Sequence, residues 1–184
     1  MANKGFFKEY IKPIVALTLI CLVVTAAVSG TYQLTKPIIE EALNATSNAA
    51  RKEVLPQAEK FEKVELPQSV LDEYSVNEVF AANDNIGFAV TVSAKGYSST
   101  PVTLMVGINA DGSVAGISVV EHSETEGIGT KAFAQDNISK YIGKTSVQEV
   151  STITGATFSS SAVKTAVSNA LDVCNFIMLG GSAQ

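Results

Sequence analysis

"IGFAVTVSAKGYSSTPVTLMVGINADGSVAGISVVEH", residues 86–122, decides the fold. Ile86, Phe88, Val90, Val92 and Ala94 alternate with smaller or more polar residues, and Val102, Leu104, Val106 and Ile108 repeat the pattern after a Gly-Tyr-Ser-Ser turn region. A period of two places one set of side chains on one face of a pleated strand, so both runs read as half-buried strands. "NADGS", residues 109–113, has the Asp-Gly signature of a hairpin connection into a third strand, "VAGISVVEH". The expectation is an antiparallel meander.

Near the C-terminus the period becomes helical. Val163, Ala166, Val167, Ala170, Leu171, Cys174, Ile177 and Met178 fall on one stripe that Gly180 and Gly181 close. Such a stripe packs on a sheet, with Cys174 as a small buried hydrophobe. The fold class that follows is α+β, helices covering one antiparallel sheet. At 184 residues the chain has room for one ordinary domain and some additional material.

That additional material lies at the start. From Pro13 to Thr35, "PIVALTLICLVVTAAVSGTYQLT" contains no Asp, Glu, Lys, Arg or His. Roughly 20 helical residues at about 1.5 Å each cross the roughly 30 Å hydrocarbon layer, so this run is long enough to span it. Lys4, Lys8 and Lys12 precede the run, whereas Lys36 is followed by Glu40 and Glu41. The lysine bias puts the N-terminus in the cytoplasm and the rest of the chain outside. A cleaved signal peptide is the alternative, since "AAVSG" loosely resembles a small-residue cleavage site. "KPIIEEALNATSNAARKEVLPQAEKF" reads as a second, membrane-proximal helix, with Pro37 near its first turn and Pro56 closing it. Residues 57–74, charged and weakly periodic, read as a connector. The expected division is a cytoplasmic N-terminus at 1–12, a transmembrane helix at 13–35, the membrane-proximal helix and connector at 36–74, and the binding domain at 75–184.

Composition removes several function classes. A net charge of −5 and the absence of tryptophan argue against nucleic acid, which calls for clustered Lys and Arg and for stacking aromatics. The two cysteines, Cys21 and Cys174, belong to no CxxC pair, and His122 is the single histidine. No iron–sulfur or zinc ligand set is present, and redox chemistry would have to come from an organic cofactor.

"TITGATFSSSAV", residues 152–163, crowds hydroxyls around a Gly-Ala pair just ahead of the helical stripe. One reading is a Ser/Thr helix cap. Another is an anion site, where first-turn backbone N–H groups and the hydroxyls of Ser159 and Ser160 converge on a phosphate.

Thr154-Gly155-Ala156-Thr157-Phe158-Ser159 resembles the [S/T]-G-A-T-x-[S/T] flavinylation motif of the FMN-binding domain family shared by the RnfG and NqrC subunits of membrane ion-pumping redox complexes. The resemblance implies that Thr157 carries FMN through a phosphoester bond placed by a flavin transferase, with Gly155 and Ala156 leaving room for the phosphate and for that enzyme. "HSETEGIGTKAF", residues 122–133, is similar to the family's H-x-E-T-P-G-L-G segment, with Glu126 in place of proline and Ile128 in place of leucine. By that similarity Glu124 and Thr125 hydrogen-bond the flavin ring edge and Ile128 packs against it. "GYSSTPV", residues 96–102, looks like a diverged form of the family's G-Y-x-G-P-I turn, which gives Gly96 and Tyr97 a part in shaping the pocket. Lys131 is a candidate for stabilising reduced flavin by its charge, beside the plain reading of a surface lysine. His122 reads as structural more than catalytic.

The resemblance runs through nearly the whole chain, and its length is that of RnfG proteins. It implies a non-autonomous electron-transfer subunit of an ion-translocating ferredoxin:NAD oxidoreductase complex, carrying covalent FMN on the extracytoplasmic side. Its partners would be polytopic membrane subunits, the flavin transferase and the lipid bilayer. Two other classes stand beside it: an NqrC-type subunit of a sodium-pumping NADH:quinone reductase, and a non-redox anchored binding module.

Overall fold

The computed structural model describes residues 12–180, so Lys4, Lys8 and Gly181 lie outside the described residues. The chain divides into two units, Met1–Thr46 and Ser47–Gln184. Helix α1, Lys12–Val54, runs through 43 residues. Within it, Ile14–Tyr32 is long and apolar enough to cross a membrane. Two threonine hydroxyls of α1 bond back to the helix itself, Thr18 to the Ile14 carbonyl at 2.9 Å and, just past that span, Thr35 to the Thr31 carbonyl at 2.7 Å. Both of these hydroxyls thus find an acceptor one turn away. The expected restart at Pro37 does not occur. A proline lacks one N–H and removes one rung of the ladder; with good helix formers such as Glu and Ala following it, the helix continues.

In the second unit, α1 ends at Val54, and strand β1 (Phe61–Lys63), helix α2 (Gln68–Glu73) and strands β2 (Val76–Ala82), β3 (Gly87–Ala94), β4 (Val102–Asn109) and β5 (Val114–Glu121) follow. Among the described residues these strands form one sheet in the order β1-β2-β3-β4-β5, every neighbour antiparallel. The expected meander is therefore present, extended by two strands. The connector at 57–74 is corrected: it contains β1 and α2. Three residues are too few to display alternation, and in β2 a register shift between Val76 and Glu78 interrupts it.

The central register pairs Val90 with Val106 and Val92 with Leu104, which stacks like residues on one face. That face meets the C-terminal helix α4, Thr157–Met178, which follows the single helical turn α3, Gln135–Ile138. Val90, Val92, Leu104, Val106 and Ile108 are fully buried with Ala166, Val167, Ala170 and Cys174. Each such aliphatic side chain contributes roughly 1.5–3 kcal/mol relative to exposure. Burial pushes the Cys174 thiol up to about 12.

The opposite face is covered too, by the last turns of α1. Val54, Leu55 and Ala58 pack with Ala89 and Met105 there. Gly107 and Gly116 are cross-strand partners, and together they make the hollow that receives the helix end. A Cβ on Gly107 would stand 2.4 Å from the Val54 carbonyl oxygen, and one on Gly116 2.8 Å from it. Arg51, 4% exposed, donates to Asn48 Oδ1 at 2.7 Å, lies over the Phe80 ring at 3.4 Å and faces Glu78 at 4.0 Å.

Candidate functional site

A cavity of about 430 Å³ opens beside the start of α4. That volume lies within the roughly 300–1,000 Å³ of small-molecule and cofactor sites. Three separate stretches wall it: Tyr97 from the β3–β4 loop, Glu124 to Gly129 after β5, and Gly155 to Ser159 where α4 begins.

Loop and helix start are shaped by backbone needs. Gly155 sits at φ +83°, a left-handed turn that glycine adopts without steric penalty. Ala156 then occupies the N-cap position, and no side chain caps the first turn of α4. The capping reading of the hydroxyl cluster is overturned, because the serines bond elsewhere. Ser160 donates to the Ala156 carbonyl at 2.8 Å and accepts from the Ile153 N–H at 3.0 Å, which ties the loop to the helix. Ser159 donates to Glu124 Oε2 at 2.5 Å. Thr157, by contrast, is exposed and lines the cavity.

Glu124 is the buried acid of the site, 6% exposed. Its Oε1 accepts the Ser98 N–H at 3.1 Å and its Oε2 the Ser159 hydroxyl. Burial raises its carboxyl, but the bonds from Ser159 and from the Ser98 and Tyr97 N–H groups, with the nearby His122, outweigh burial and leave it below its ordinary value. Two glycines make room for this carboxylate. A Cβ at Gly96 would stand 2.3 Å from Oε1, and one at Gly129 2.7 Å from Oε2. Gly96 therefore shapes the pocket from behind Glu124, without lining it.

The turn at 125–130 is closed by its own backbone. The Thr125 carbonyl accepts the N–H groups of Ile128, Gly129 and Thr130 at 3.2, 2.9 and 3.3 Å, and the Gly127 N–H donates to Thr130 Oγ1 at 2.9 Å. With Glu126 at the family's proline position, these four bonds define the loop. Thr125 and Ile128 line the cavity; Thr154, Ser160 and Lys131 do not. Lys131 is exposed on the short 3-10 turn Gly129–Phe133. His122 lies against Phe133 with centroids 4.8 Å apart and the ring planes tilted by 37°. Sequence reasoning missed Gly129 and Phe158, both cavity residues; the lone aromatic inside a run of hydroxyls was the available signal for the second.

The FMN-binding domain model matches residues 96–172, a span that contains every wall of the cavity. The G subunit of the Na(+)-translocating ferredoxin:NAD(+) oxidoreductase complex of Acetobacterium woodii is 31% identical over 189 residues, covering 85% of this chain and 87% of the relative. The G subunit of an ion-translocating oxidoreductase complex from Methanosarcina acetivorans is 32% identical, with 90% and 94% covered. The chain belongs to this G-subunit family. A third relative, the G subunit of the proton-translocating ferredoxin:NAD(+) oxidoreductase complex of Clostridium ljungdahlii, is 26% identical over 85% of the chain.

In this member of the G-subunit family the residues present fit an FMN. The helix start leaves first-turn N–H groups without a side-chain cap, where an anion is favoured. An exposed hydroxyl stands in the same turn, and the apolar walls of Ile128, Tyr97 and Phe158 suit a flat aromatic ring.

Proposed function

We propose that this chain is a membrane-anchored electron-transfer subunit that holds FMN covalently through Thr157, in an ion-translocating ferredoxin:NAD oxidoreductase complex. One observation carries the reading: Thr157 is exposed and lines the cavity at an uncapped helix start, while Ser159 and Ser160 in the same turn are already hydrogen-bonded.

FMN supplies one- and two-electron chemistry when bound. The chain's own residues attach, orient and tune. Thr157 Oγ would hold the FMN as a phosphoester: the transferase would pass the FMN phosphoryl group from a phosphoanhydride donor, the donor's P–O bond breaking and its other phosphate half leaving as the threonine gives up its proton, and the α4 N-terminus would favour the charge that the phosphodiester keeps. Attachment makes the local cofactor concentration very high, so contacts in the cavity can serve tuning in place of retention. Glu124, held by Ser98 and Ser159, places a fixed negative charge at the cavity wall. Thr125 and Ile128 complete that wall.

The helix segment Ile14–Tyr32 anchors the chain in the bilayer, with the N-terminus cytoplasmic and the FMN domain on the extracytoplasmic side. The span from Pro13 to Thr35 has no carboxylate to relay a cation. The ion path is therefore assigned to polytopic partner subunits, and a flavin transferase matures this one.

Intact-mass measurement with peptide mapping, on protein purified from its native membrane, tests the reading. The expected result is a yellow protein heavier by one FMN less one water, with the increment on the peptide holding Thr157; a colourless, unmodified protein overturns it. Protease added outside intact cells should reach residues beyond 60, and protection there would reverse the orientation.

A further inference from the structure

Seven large hydrophobic residues are exposed beyond α1 among the described residues, and three of them, Tyr97 at 74%, Phe158 at 67% and Ile128 at 55%, meet at this cavity. Scattered apolar exposure is ordinary, but convergence on a concave site marks a binding surface. Phe158 occupies the turn of α4 that also bears Thr157, and its ring centroid is 6.1 Å from that of Tyr97, with the planes at 52°. Rings so inclined form a wedge, not a stack. A third flat ring can lie offset on one and edge-on to the other, since aromatic pairs hold at centroid separations of about 4.5–7 Å.

Glu124 joins the two arms of the wedge. Its Oε1 accepts from Ser98, next to Tyr97, and its Oε2 from Ser159, next to Phe158. One buried carboxylate thus sets the spacing between the β3–β4 loop and the start of α4. We infer that Phe158 and Tyr97 clamp the isoalloxazine ring, and that Glu124 is the positioning residue holding the clamp at its width. This rests on the FMN reading above and adds to it a ring contact from the helix turn that carries the attachment.

The test uses the full chain co-produced with a flavin transferase, read by intact mass and by flavin fluorescence. Tyrosine and tryptophan in contact with a flavin quench its emission by electron transfer, whereas phenylalanine does not. Tyr97→Phe therefore supplies a bright parent. Adding Phe158→Trp to that parent should cut emission and lifetime severalfold while the mass increment remains. Phe158→Tyr in the same parent gives a second quencher of nearly native shape. Full increment with unchanged emission in both variants overturns the clamp and leaves the attachment standing. A parent without the increment overturns the FMN reading itself, so the two failures are told apart. Glu124→Ala in the Phe158→Trp protein should restore part of the emission by releasing the arms, and undiminished quenching there removes Glu124 from the role.

Discussion

Two helix ends meet the same sheet domain, and they are built in opposite ways. The C-terminal end of α1 is sealed: Val54 rests in the hollow of Gly107 and Gly116, and Arg51 is buried over Phe80. The N-terminal end of α4 is open, with no side-chain cap, a free-standing threonine hydroxyl in its first turn and an exposed aromatic beside it. Sealed contact converts apolar area into stability. An open terminus leaves backbone donors and ring surface for something that is not protein. The contrast separates the parts of the chain that hold the fold from the parts that hold a ligand.

The strongest way to break the comparison is at the sealed end. Gly107→Val should push a branched side chain into the Val54 carbonyl and cost about 3 kcal/mol or more, read as a large drop in denaturation midpoint. A small effect would mean that the helix end is not seated there.

Glu124 sits between the two kinds of surface, and Glu124→Ala should cost about 1–3 kcal/mol by leaving the Ser98 N–H and Ser159 hydroxyl without their acceptor. Because its folded pKa lies below the ordinary 4.5, its ionisation contributes stability that is complete above that value and fades as pH falls below it through the lowered folded value. A Glu124→Gln variant should show a flatter stability profile in that acid window, and a profile parallel to the parent would contradict the assignment.

At the open end the effects on stability should nearly vanish. Thr157→Val should abolish the covalent mass increment while changing unfolding free energy by no more than about 0.5 kcal/mol. Covalent flavin retained in that variant would falsify Thr157 as the attachment site. Phe158→Ala should be the mildest, within about 0.5 kcal/mol of the parent in unflavinylated protein, since its ring contributes little to the core. A larger loss would show that Phe158 belongs to the sealed category after all.

Legibility in the sequence followed the same line. Strands β3, β4 and β5, the Asp-Gly hairpin and the α4 stripe were readable because each buries a regular face, and regular burial imposes a period. Asp111 even fixes the hairpin as its type suggests, accepting the Ser113 N–H at 2.8 Å, with Gly112 at φ +80°. Strand β1 escaped because a three-residue edge strand has no period, and β2 because a bulge shifts its phase. At the cavity, Thr157, Glu124, Thr125 and Ile128 were accessible only through motif resemblance, since a cluster of hydroxyls before a helix reads equally as a cap and no periodic pattern marks residues 122–133. The role of Gly96 as a recess for the Glu124 carboxylate depends on a contact between the β3–β4 loop and the segment after β5, and that of Gly129 on how its own turn folds back on Glu124, neither of which a residue pattern encodes.

Since Tyr97, the 124–129 loop and the first turn of α4 each supply one wall, the pocket exists only where the meander, the loop after it and the final helix are all in place. A chain in which any one of them is out of place would keep Thr157 without the chamber around it. Under the FMN reading proposed above, burial of the flavin ring, in contrast to its mere attachment, would then report that all three walls are in place.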